Sequence, residues 1–481
     1  MIPSNQKPVA ILGAGLAGLT AANFLRRHDV PFILFEAGPR IAGLATTFTD
    51  AEGFSYDFGA HFITNRLAAA IGVGAQCRVV RHYSETVLLG GRAYSYPFGL
   101  MGVPRFFLSA LASRAAALGN GDPPRSAEEW FSAKYGAALA REVAIPLTEA
   151  WSGAAASQLA PSVGDSIPGS IGRTVMLKLA SRLTRRAVAC GYSREMPETP
   201  GVWHVYPDGG VGLLCQRLAE GVKDEIRLEC PVEAISVDAG RAVSVRVKGR
   251  EQEVAAVIST APRNILAKLI TGTDELESLA RFRYRPMVFI NMRFRGRKLL
   301  PDVVTWTPES EFPFFRLTEA PLSMPWLAPS DKTLITVDVG CEVGDQLWNM
   351  ADEELGELCL GHLKGIFPNA VQRYLGCKVL RTPVAYPIFL KEYEVDRQRF
   401  EQSTGIENLY SIGRNGEFAH IFMEDVYWRT LKKMRELLNF LHGPGPGLAL
   451  QTSAVDYTHD YDGLTGRAQS TPVCQAANDS I

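Results

Sequence analysis

The run VAILGAGLAG, residues 9–18, decides the fold of this chain. Its first four residues form the continuous apolar run that is typical of a parallel strand buried on both faces. A glycine-rich turn follows, and an Ala- and Leu-rich stretch that extends to about His28 predicts a helix. The run PFILF, residues 31–35, predicts a second strand that ends at Glu36. The segment therefore predicts a strand, a turn, a helix and a strand, which is the first unit of a doubly wound α/β fold.

The glycines of the turn have the G-x-G-x-x-G spacing, and each is needed for a separate reason. Gly13 makes the tight turn, Gly15 lets backbone N–H groups approach a pyrophosphate, and Gly18 allows the helix to pack closely on the strand. Glu36 follows the second strand, where a carboxylate can accept hydrogen bonds from the ribose of an adenosine. The strand, helix and acid around the turn together predict dinucleotide binding.

The composition excludes several other classes of protein. The 481 residues are 46% hydrophobic and 21% charged, which is typical of a globular protein and excludes collagen-like, disordered and disulfide-scaffold chains. Lys and Arg number 50 against 51 Asp and Glu, so no basic field favours nucleic acid as a partner. The eight cysteines are scattered without metal-ligand spacing, which predicts neither a metal site nor a disulfide framework and favours a cytoplasmic location. The sequence shows neither a secretory signal nor an apolar run long enough for a transmembrane segment.

Three further regions have a distinct pattern. Residues 171–196 contain six Arg and Lys against one acid, Glu195. A basic helix of this kind could meet a membrane surface or an anionic substrate, or it could present an ordinary solvated face, and the sequence leaves these alternatives open. The stretch from Ser126 to about Trp151 predicts one helix with Ser126 as its cap. Residues 443–481 lose periodicity, which predicts an extended or disordered tail.

The residues from Glu36 onward resemble one group of FAD proteins. The run EAGPRIAGL, residues 36–44, is similar to the E-x-x-x-R-x-G-G stretch of the amine oxidase and protoporphyrinogen oxidase superfamily, with Ala42 in place of the first glycine of the pair. The run DFGAHF, residues 57–62, resembles the D-x-G-x-H segment that lies against the flavin in that family. Three later runs are also similar to family motifs: YPDGGVG at 206–212, VISTAP at 257–262 and NLYSIGR at 408–414. The resemblance is specific for FAD and unspecific for the substrate.

The resemblance implies a glutathione-reductase-like α/β fold, in which an FAD-binding Rossmann domain is joined to a mixed α+β substrate domain. We expect the FAD-binding domain to consist of residues 1–90, 195–285 and 375–442, and the substrate-binding domain of residues 91–194 and 286–374. The candidate FAD-binding residues are Gly13, Gly15, Leu16, Ala17, Gly18, Glu36, Ala37, Arg40, Gly43, Leu44, Gly59, Ala60, His61, Val232, Thr260, Gly413 and Arg414.

Within the superfamily, three runs are similar to the branch that contains UDP-galactopyranose mutase. Residues 59–65, GAHFITN, resemble its G-A-H-I-F-H-T run; residues 312–316, FPFFR, resemble its P-F-Y-R segment; and residues 413–416, GRNG, resemble its G-R-x-G. The substrate region also departs from that branch, since the second histidine is missing and TEAWSG, residues 148–153, stands where that branch has K-Q-W-G.

His61 and Arg316 are the candidate catalytic residues. His61 could act as a base or hydrogen-bond donor beside the flavin, or it could be a structural histidine. In the mutase branch the arginine of the P-F-Y-R segment meets the substrate diphosphate, so the resemblance implies that Arg316 is an anion clamp; the alternative is an ordinary arginine paired with Glu319. Arg414 follows a glycine at a predicted helix start and could contact cofactor or substrate. Several aromatic residues could line a pocket or belong to the core: Tyr386, Tyr393, Tyr427 and Trp428.

The resemblance implies an enzyme. The first expectation is an FAD-dependent oxidoreductase that takes a hydride from a C–N or C–C unit of a small organic substrate, with oxygen or another acceptor reoxidising the flavin. One alternative is a non-redox flavoenzyme similar to UDP-galactopyranose mutase that acts on a sugar nucleotide. Another is a binding protein similar to the Rab GDP-dissociation inhibitors. We expect a small-molecule substrate, anionic if the arginines bind it, and leave the oligomeric state open.

Overall fold

A five-stranded parallel sheet forms the centre of the fold. Its first strand, Val9–Leu12, pairs with Phe32–Phe35 on one side and with Ala256–Ser259 on the other. The outer strands are Ile226–Arg227 and Leu409–Ser411. The computed structural model of the protein describes residues 7–59, 62–117, 123–166 and 171–442.

The first strand is buried on both faces, as its continuous apolar run predicts. Val9 and Ile11 belong to one hydrophobic core, whereas Ala10 and Leu12 belong to the core on the other face of the sheet. Helix Leu16–Arg27 follows the glycine turn and packs on the long helix Met423–His442. The predicted strand, turn, helix and strand are confirmed, and with them the α/β fold class.

A second, seven-stranded sheet is built around three long antiparallel strands. Tyr284–Arg295 lies between Lys332–Gly340 and Tyr374–Pro387. The sheet continues through Arg316–Thr318 and Val304–Trp306, and Val304–Trp306 pairs in parallel with Glu85–Leu89. Arg92–Ser95 forms its far edge.

The strand pairing of the two sheets does not follow the expected domain boundaries everywhere, and the domain division remains a proposal. Strands of residues 85–95 and 374–387 pair within the seven-stranded sheet, although the expected division assigns most of both segments to the FAD-binding domain. The other strands are Thr47–Thr49 with Ser55–Asp57; Ile63–Thr64 and Cys77–Val79 with His204–Pro207; and Val232–Asp238 with Arg241–Val247, Arg250–Glu253 and Ile270–Thr271.

The predicted single helix from Ser126 to Trp151 is wrong, because it breaks at Gly136. Ser126 does cap helix Ala127–Tyr135, and its hydroxyl accepts from the backbone N–H of Glu129 at 3.2 Å. Gly136 then adopts a φ of +86°, and a Cβ there would collide with the backbone of Ala110. The chain continues as Ala137–Leu139, a π-helical turn at Ala140–Ala144 and Ile145–Ser152.

The basic segment is helical over Ile171–Thr184 and irregular from there to residue 196, and the predicted tail 443–481 lies outside the described residues. Within the described ranges, no helix is long and apolar enough to cross a membrane. The remaining α-helices are Asn65–Ile71, Phe98–Met101, Pro104–Ala117, Leu213–Ala219, Arg263–Leu269, Gln346–Asn349, Asp352–Leu363, Ala370–Arg373, Glu394–Gln402 and Gly413–Gly416. The 3-10 turns are Gly43–Ala45, Gly74–Gln76, Pro161–Ser166, Lys223–Glu225, Glu277–Arg281, Ala320–Leu322, Pro325–Leu327 and Lys391–Tyr393.

Candidate functional site

The glycine turn leaves an open space before the first long helix. Gly13 has a φ of +100°, and a Cβ there would collide with the hydroxyl of Thr260. A Cβ on Gly18 would collide with the carbonyl oxygen of Gly13, so the helix lies directly against the turn. At Gly15, by contrast, no atom of the described residues other than its chain neighbours lies within 4 Å of the position that a Cβ would take. The first N–H groups of a helix have no partner within the helix, and no side chain caps this one, so these groups and the open space together suit a pyrophosphate.

The carboxylate of Glu36, at the end of the second strand, accepts hydrogen bonds from two backbone turns. One carboxylate oxygen accepts from the N–H of Ala14 and the other from the N–H of Gly38, each at 2.7 Å. A carboxylate has further lone pairs, so it can still accept hydrogen bonds from ribose hydroxyls. The backbone carbonyl of Glu36 accepts from Cys230, which brings the start of strand Val232–Asp238 near this end of the site.

The segment that follows Glu36 returns to the glycine turn. The N–H of Ala42 donates to the carbonyl of Ala14 at 2.8 Å, and the Cα of Gly15 lies 3.8 Å from the Cβ position of Gly43. Ala42 has a φ of +85°, a conformation that glycine adopts without steric cost and alanine does not. This explains why the family pattern has a glycine at the position of Ala42.

The C-terminal motif reaches the same turn from the other side. Gly413 has a φ of +79° and begins the short helix Gly413–Gly416, as predicted. A Cβ on Gly413 would lie 2.9 Å from the Cβ of Ala17. Thr260 donates both its backbone N–H and its hydroxyl to the carbonyl of Leu12. The structure thus brings these three chain segments together around the first helix.

Gly59 and Arg316 are neighbours. Gly59 has a φ of +85°, and a Cβ there would lie 3.3 Å from a guanidinium nitrogen of Arg316 and 3.0 Å from the ring of Phe289. Asp57 holds the preceding strand in place, since its carboxylate accepts from the hydroxyls of Thr47 at 2.6 Å and Tyr206 at 2.8 Å. The predicted residues Ala60 and His61 lie outside the described residues.

Arg316 forms an ion pair, but its partner is not Glu319. Strand register places Arg316 opposite Asp338, whose buried carboxylate accepts a hydrogen bond from the guanidinium. Burial on its own lowers the pKa of Arg316, but the charge and hydrogen bond of Asp338, together with Tyr386 and Tyr83, raise it by more, so the net shift is upward. Glu319 instead accepts from the backbone N–H groups of residues 298–300. The alternative of a pair with Glu319 is therefore wrong.

Arg414 is a largely buried cation without a carboxylate partner in the described part of the chain. The carbon of its guanidinium lies 4.7 Å from the centre of the Tyr386 ring. Its Nε is buried and has no hydrogen-bond partner among the described residues. Burial lowers the pKa of Arg414, and the charge of Arg316 lowers it further. The charge of Arg316 thus acts on Arg414, and Arg414 has no counter-charge among the residues that the structure describes.

Aromatic side chains surround the two arginines. The rings of Trp151, Tyr386 and His420 contact one another, with centres 5.5, 5.6 and 5.7 Å apart. Tyr192 stacks on Phe422 with ring centres 4.4 Å apart. Tyr386 is thus at the site, whereas the other aromatic residues that the sequence singled out lie in hydrophobic cores, namely Tyr393, Tyr427 and Trp428.

Sequence reasoning missed Trp151, Tyr192 and His420 as site residues. The TEAWSG run, which stands where a related branch has its own Trp-containing run, was the available signal for Trp151. His420 is uncharged at neutral pH, because burial and the positive charges of Arg414, Arg194 and Arg316 lower its pKa to about 3. It can therefore take part in a hydrogen bond without adding a third positive charge.

The other predicted residues are spread along the site. Leu16 and Ala17 are buried in the first helical turn, Leu44 is partly buried beside it, and Ala37 and Arg40 are exposed near Glu36. The Arg40 guanidinium lies 4.9 Å from the centre of the Phe48 ring. The candidate FAD-binding residues therefore extend from an exposed end at Arg40 to an enclosed end at Gly59 and Arg414.

Several solved structures share this fold. Reduced UDP-galactopyranose mutase aligns over 90% of this chain and 96% of its own, with a TM-score of 0.74 and 19% identity. A protein assigned as protoporphyrinogen oxidase from Exiguobacterium aligns over 90% and 99%, with a TM-score of 0.68 and 18% identity. Cyclohexylamine oxidase from Brevibacterium oxydans aligns over 91% and 100%, with a TM-score of 0.67 and 14% identity. At these identities the likeness shows the fold alone.

The sequence itself also matches known proteins. It is 43% identical over 107 residues to the chloroplastic prolycopene isomerase of Arabidopsis thaliana, a match that spans 20% of this chain and only 18% of that relative. The family described as flavin containing amine oxidoreductase matches residues 16–427, which is most of the chain. The protein therefore belongs to the flavin-containing amine oxidoreductase family.

Proposed function

We propose that this protein is an FAD-dependent oxidoreductase that takes a hydride from a C–N or C–C unit of a small organic molecule with an anionic group. The observation that supports an anionic group on the substrate is the state of Arg414, which is largely buried and has no carboxylate partner among the described residues. Burying a charge without a partner is strongly unfavourable, so such a cation is expected where a bound anion completes the site. We propose that Arg316, whose charge acts on Arg414, holds the same anion.

FAD is the cofactor, and the described residues fit it. We assign the pyrophosphate to the open space at Gly15 and the adenosine ribose to Glu36, with Ala37, Arg40 and Val232 around it. We assign the flavin end to Gly43, Leu44, Gly59, Thr260 and Gly413. When bound, FAD supplies the two-electron chemistry of the reaction. The open pyrophosphate space also disfavours the alternative of a binding protein without a flavin.

The chain's own groups orient the substrate and exclude water. The rings of Trp151, Tyr386 and His420 form an apolar wall, and the two arginines hold the anionic group of the substrate against it. The same positive charges disfavour an ammonium group, so a simple protonated amine is expected to be a poor substrate. Because the pKa of His420 is about 3, it does not supply a proton at neutral pH. The catalytic role of His61 remains a proposal.

The second candidate is a non-redox, mutase-like reaction on a sugar nucleotide. The observation that favours it is the pair of neighbouring guanidinium groups of Arg316 and Arg414, since two such forks match the oxygens of a diphosphate. In that case turnover requires reduced FAD but consumes no electrons, whereas the first proposal requires one two-electron acceptor for each turnover.

The test is anaerobic reduction of the purified holoenzyme, followed by mixing with oxygenated buffer or an artificial acceptor while the flavin absorbance is recorded. Fast reoxidation by either acceptor is the result expected for the oxidoreductase. Slow reoxidation by both, together with conversion of UDP-galactopyranose by the reduced enzyme alone, would overturn it in favour of the mutase-like reaction. A protein that shows no flavin spectrum after addition of FAD would contradict both.

We predict that Glu36→Ala weakens FAD binding about tenfold or more, because the carboxylate forms charge-assisted hydrogen bonds that contribute roughly 1.5–3 kcal/mol. Two of these bonds hold the backbone N–H groups of Ala14 and Gly38 in position, so the turn is also less ordered in the variant. Fluorescence titration of the apoprotein with FAD measures the change. Glu253→Ala, which removes an exposed carboxylate paired with Lys7, is the control and should bind FAD normally. Equal affinity in the Glu36 variant would mean that the ribose is held elsewhere.

A further inference from the structure

The helix Ile171–Thr184 presents an apolar stripe to solvent. Leu183 is 86% exposed, Leu179 53% and Met176 49%, whereas Leu177 on the opposite side is buried. The three exposed residues are spaced as neighbours on one face of a helix. Exposed apolar residues are common singly, but a stripe of large ones on one helix marks a surface that contacts something else.

Positive charge surrounds this stripe. From residue 171 to 186 the sequence contains Arg173, Lys178, Arg182, Arg185 and Arg186 and no acid. Arg182 and Arg185 form no ion pair with any described residue. Arg186 lies over the ring of Trp203, with its guanidinium carbon 4.1 Å from the ring centre. An apolar stripe between unpaired cations is the pattern of a helix that lies in a membrane interface.

A second helical segment has the same character. Pro104–Ala117 exposes Phe107, Leu108 and Leu111, and residues 98–117 contain Arg105 and Arg114 but no acid. Two segments of the fold therefore present exposed apolar residues together with arginines.

We propose that the helix Ile171–Thr184 docks the protein on an anionic membrane surface, with its leucine stripe in the lipid and its arginines against the phosphate groups. The charge pattern indicates that the partner of this surface is an anionic membrane and not a second copy of the chain. A second copy of the chain would bring the same arginines face to face across a twofold axis, which is repulsive. Anionic lipids instead supply negative charge for the arginines and an apolar layer for the leucines.

The inner side of the same helix faces the candidate site. The ammonium nitrogen of Lys178 lies 5.8 Å from the centre of the Tyr83 ring, and the ring of Tyr83 contacts that of His204. The ring of His204 in turn contacts that of the site residue Tyr192, with centres 4.6 Å apart. A helix docked in this way would therefore hold the membrane surface beside the aromatic residues of the site. That arrangement suits a substrate that partitions into lipid.

The experiment is flotation of the full-length holoenzyme with vesicles of phosphatidylcholine alone or of phosphatidylcholine mixed with phosphatidylserine. We expect binding to the mixed vesicles that is weakened by salt. The double substitution Leu179→Ser with Leu183→Ser should weaken binding about tenfold or more, from the lost burial of two leucines. Arg182→Gln and Arg185→Gln should each weaken it about fivefold.

Two control variants match these substitutions away from the helix. Val395→Ser removes an apolar side chain that is 80% exposed, and Arg250→Gln removes an exposed cation, so both should bind vesicles like the unaltered protein. Equal binding to both kinds of vesicle, absence of binding, or normal binding by the leucine variant would overturn the proposal. A dimer in solution that Leu183→Ser converts to a monomer would also overturn it, since the stripe would then be a subunit interface. Flavin content and reoxidation, measured in parallel, report on the proposed function separately.

Discussion

Gly15→Val is expected to abolish FAD binding while the protein still folds. No atom of the described residues beyond its chain neighbours lies within 4 Å of the Cβ position of Gly15, and its φ of −78° is accessible to any residue, so the Cβ of a valine has room there. The valine side chain instead fills the space that we assign to the pyrophosphate. The loss of charge-assisted hydrogen bonds together with the steric overlap is expected to cost at least about 4 kcal/mol, roughly a thousandfold in Kd.

Flavin absorbance of the purified variant and calorimetric titration with FAD measure this loss, and thermal unfolding of the two apoproteins checks the fold. Gly221→Val is the matched control, since Gly221 is exposed, its Cβ position is also open and it does not belong to the turn. Gly18→Val should behave differently from both and destabilise the apoprotein, because its Cβ would collide with the carbonyl of Gly13. A Gly15 variant that retains the full flavin content would refute our placement of the pyrophosphate.

The nucleotide half of the fold could be predicted because its signals are local. The strand, turn and helix at residues 9–27 follow from apolar runs and from three glycines whose tasks are steric, and the structure has the collisions that each task implies at Gly13 and Gly18. Such patterns need no knowledge of distant residues.

Other features depend on contacts between distant segments and could not be predicted. Gly136 interrupts the helix after Ser126 because the backbone of Ala110 passes close to it, and nothing near Gly136 in the sequence signals that approach. Arg316 pairs with Asp338 because two strands pair in one particular register, which apolar patterning does not specify for single polar residues. The alternative that paired Arg316 with Glu319, the nearest acid in sequence, is therefore wrong.

In the candidate site, too, some features could be predicted from the local sequence and others depend on distant contacts. Arg414 was found through a motif, but its lack of a carboxylate partner is a property of the three-dimensional structure. Trp151 and His420 meet at Tyr386 although they come from separate parts of the chain. The cofactor could thus be predicted from the sequence, whereas the kind of substrate that the site accepts could not.

Arg414→Gln is expected to weaken binding of an anionic ligand at least about thirtyfold, the effect of losing roughly 2 kcal/mol of buried ion pairing. The substitution should not destabilise the protein, because it removes a charge that lacks a carboxylate partner among the described residues. The pKa of His420 should rise, since the charge of Arg414 contributes to lowering it. Titration of the holoenzyme with pyrophosphate and with UDP-galactopyranose, followed by the flavin absorbance, measures the anion affinity.

Cofactor and substrate contacts of Arg414 are distinguished by measuring the FAD affinity of the same variant. If Arg414 holds the substrate anion, the Kd for FAD stays unchanged while that for the anion rises; if it holds the flavin, the reverse is expected. Arg316→Lys keeps a charge beside Asp338 and so avoids leaving that buried carboxylate unpaired, but it loses the fork that binds an anion in two places. Arg217→Gln, which removes an exposed guanidinium paired with Glu220, is the control. Unchanged affinity for both FAD and anions in the Arg414 variant would contradict the anionic substrate, because the charge would then serve neither ligand.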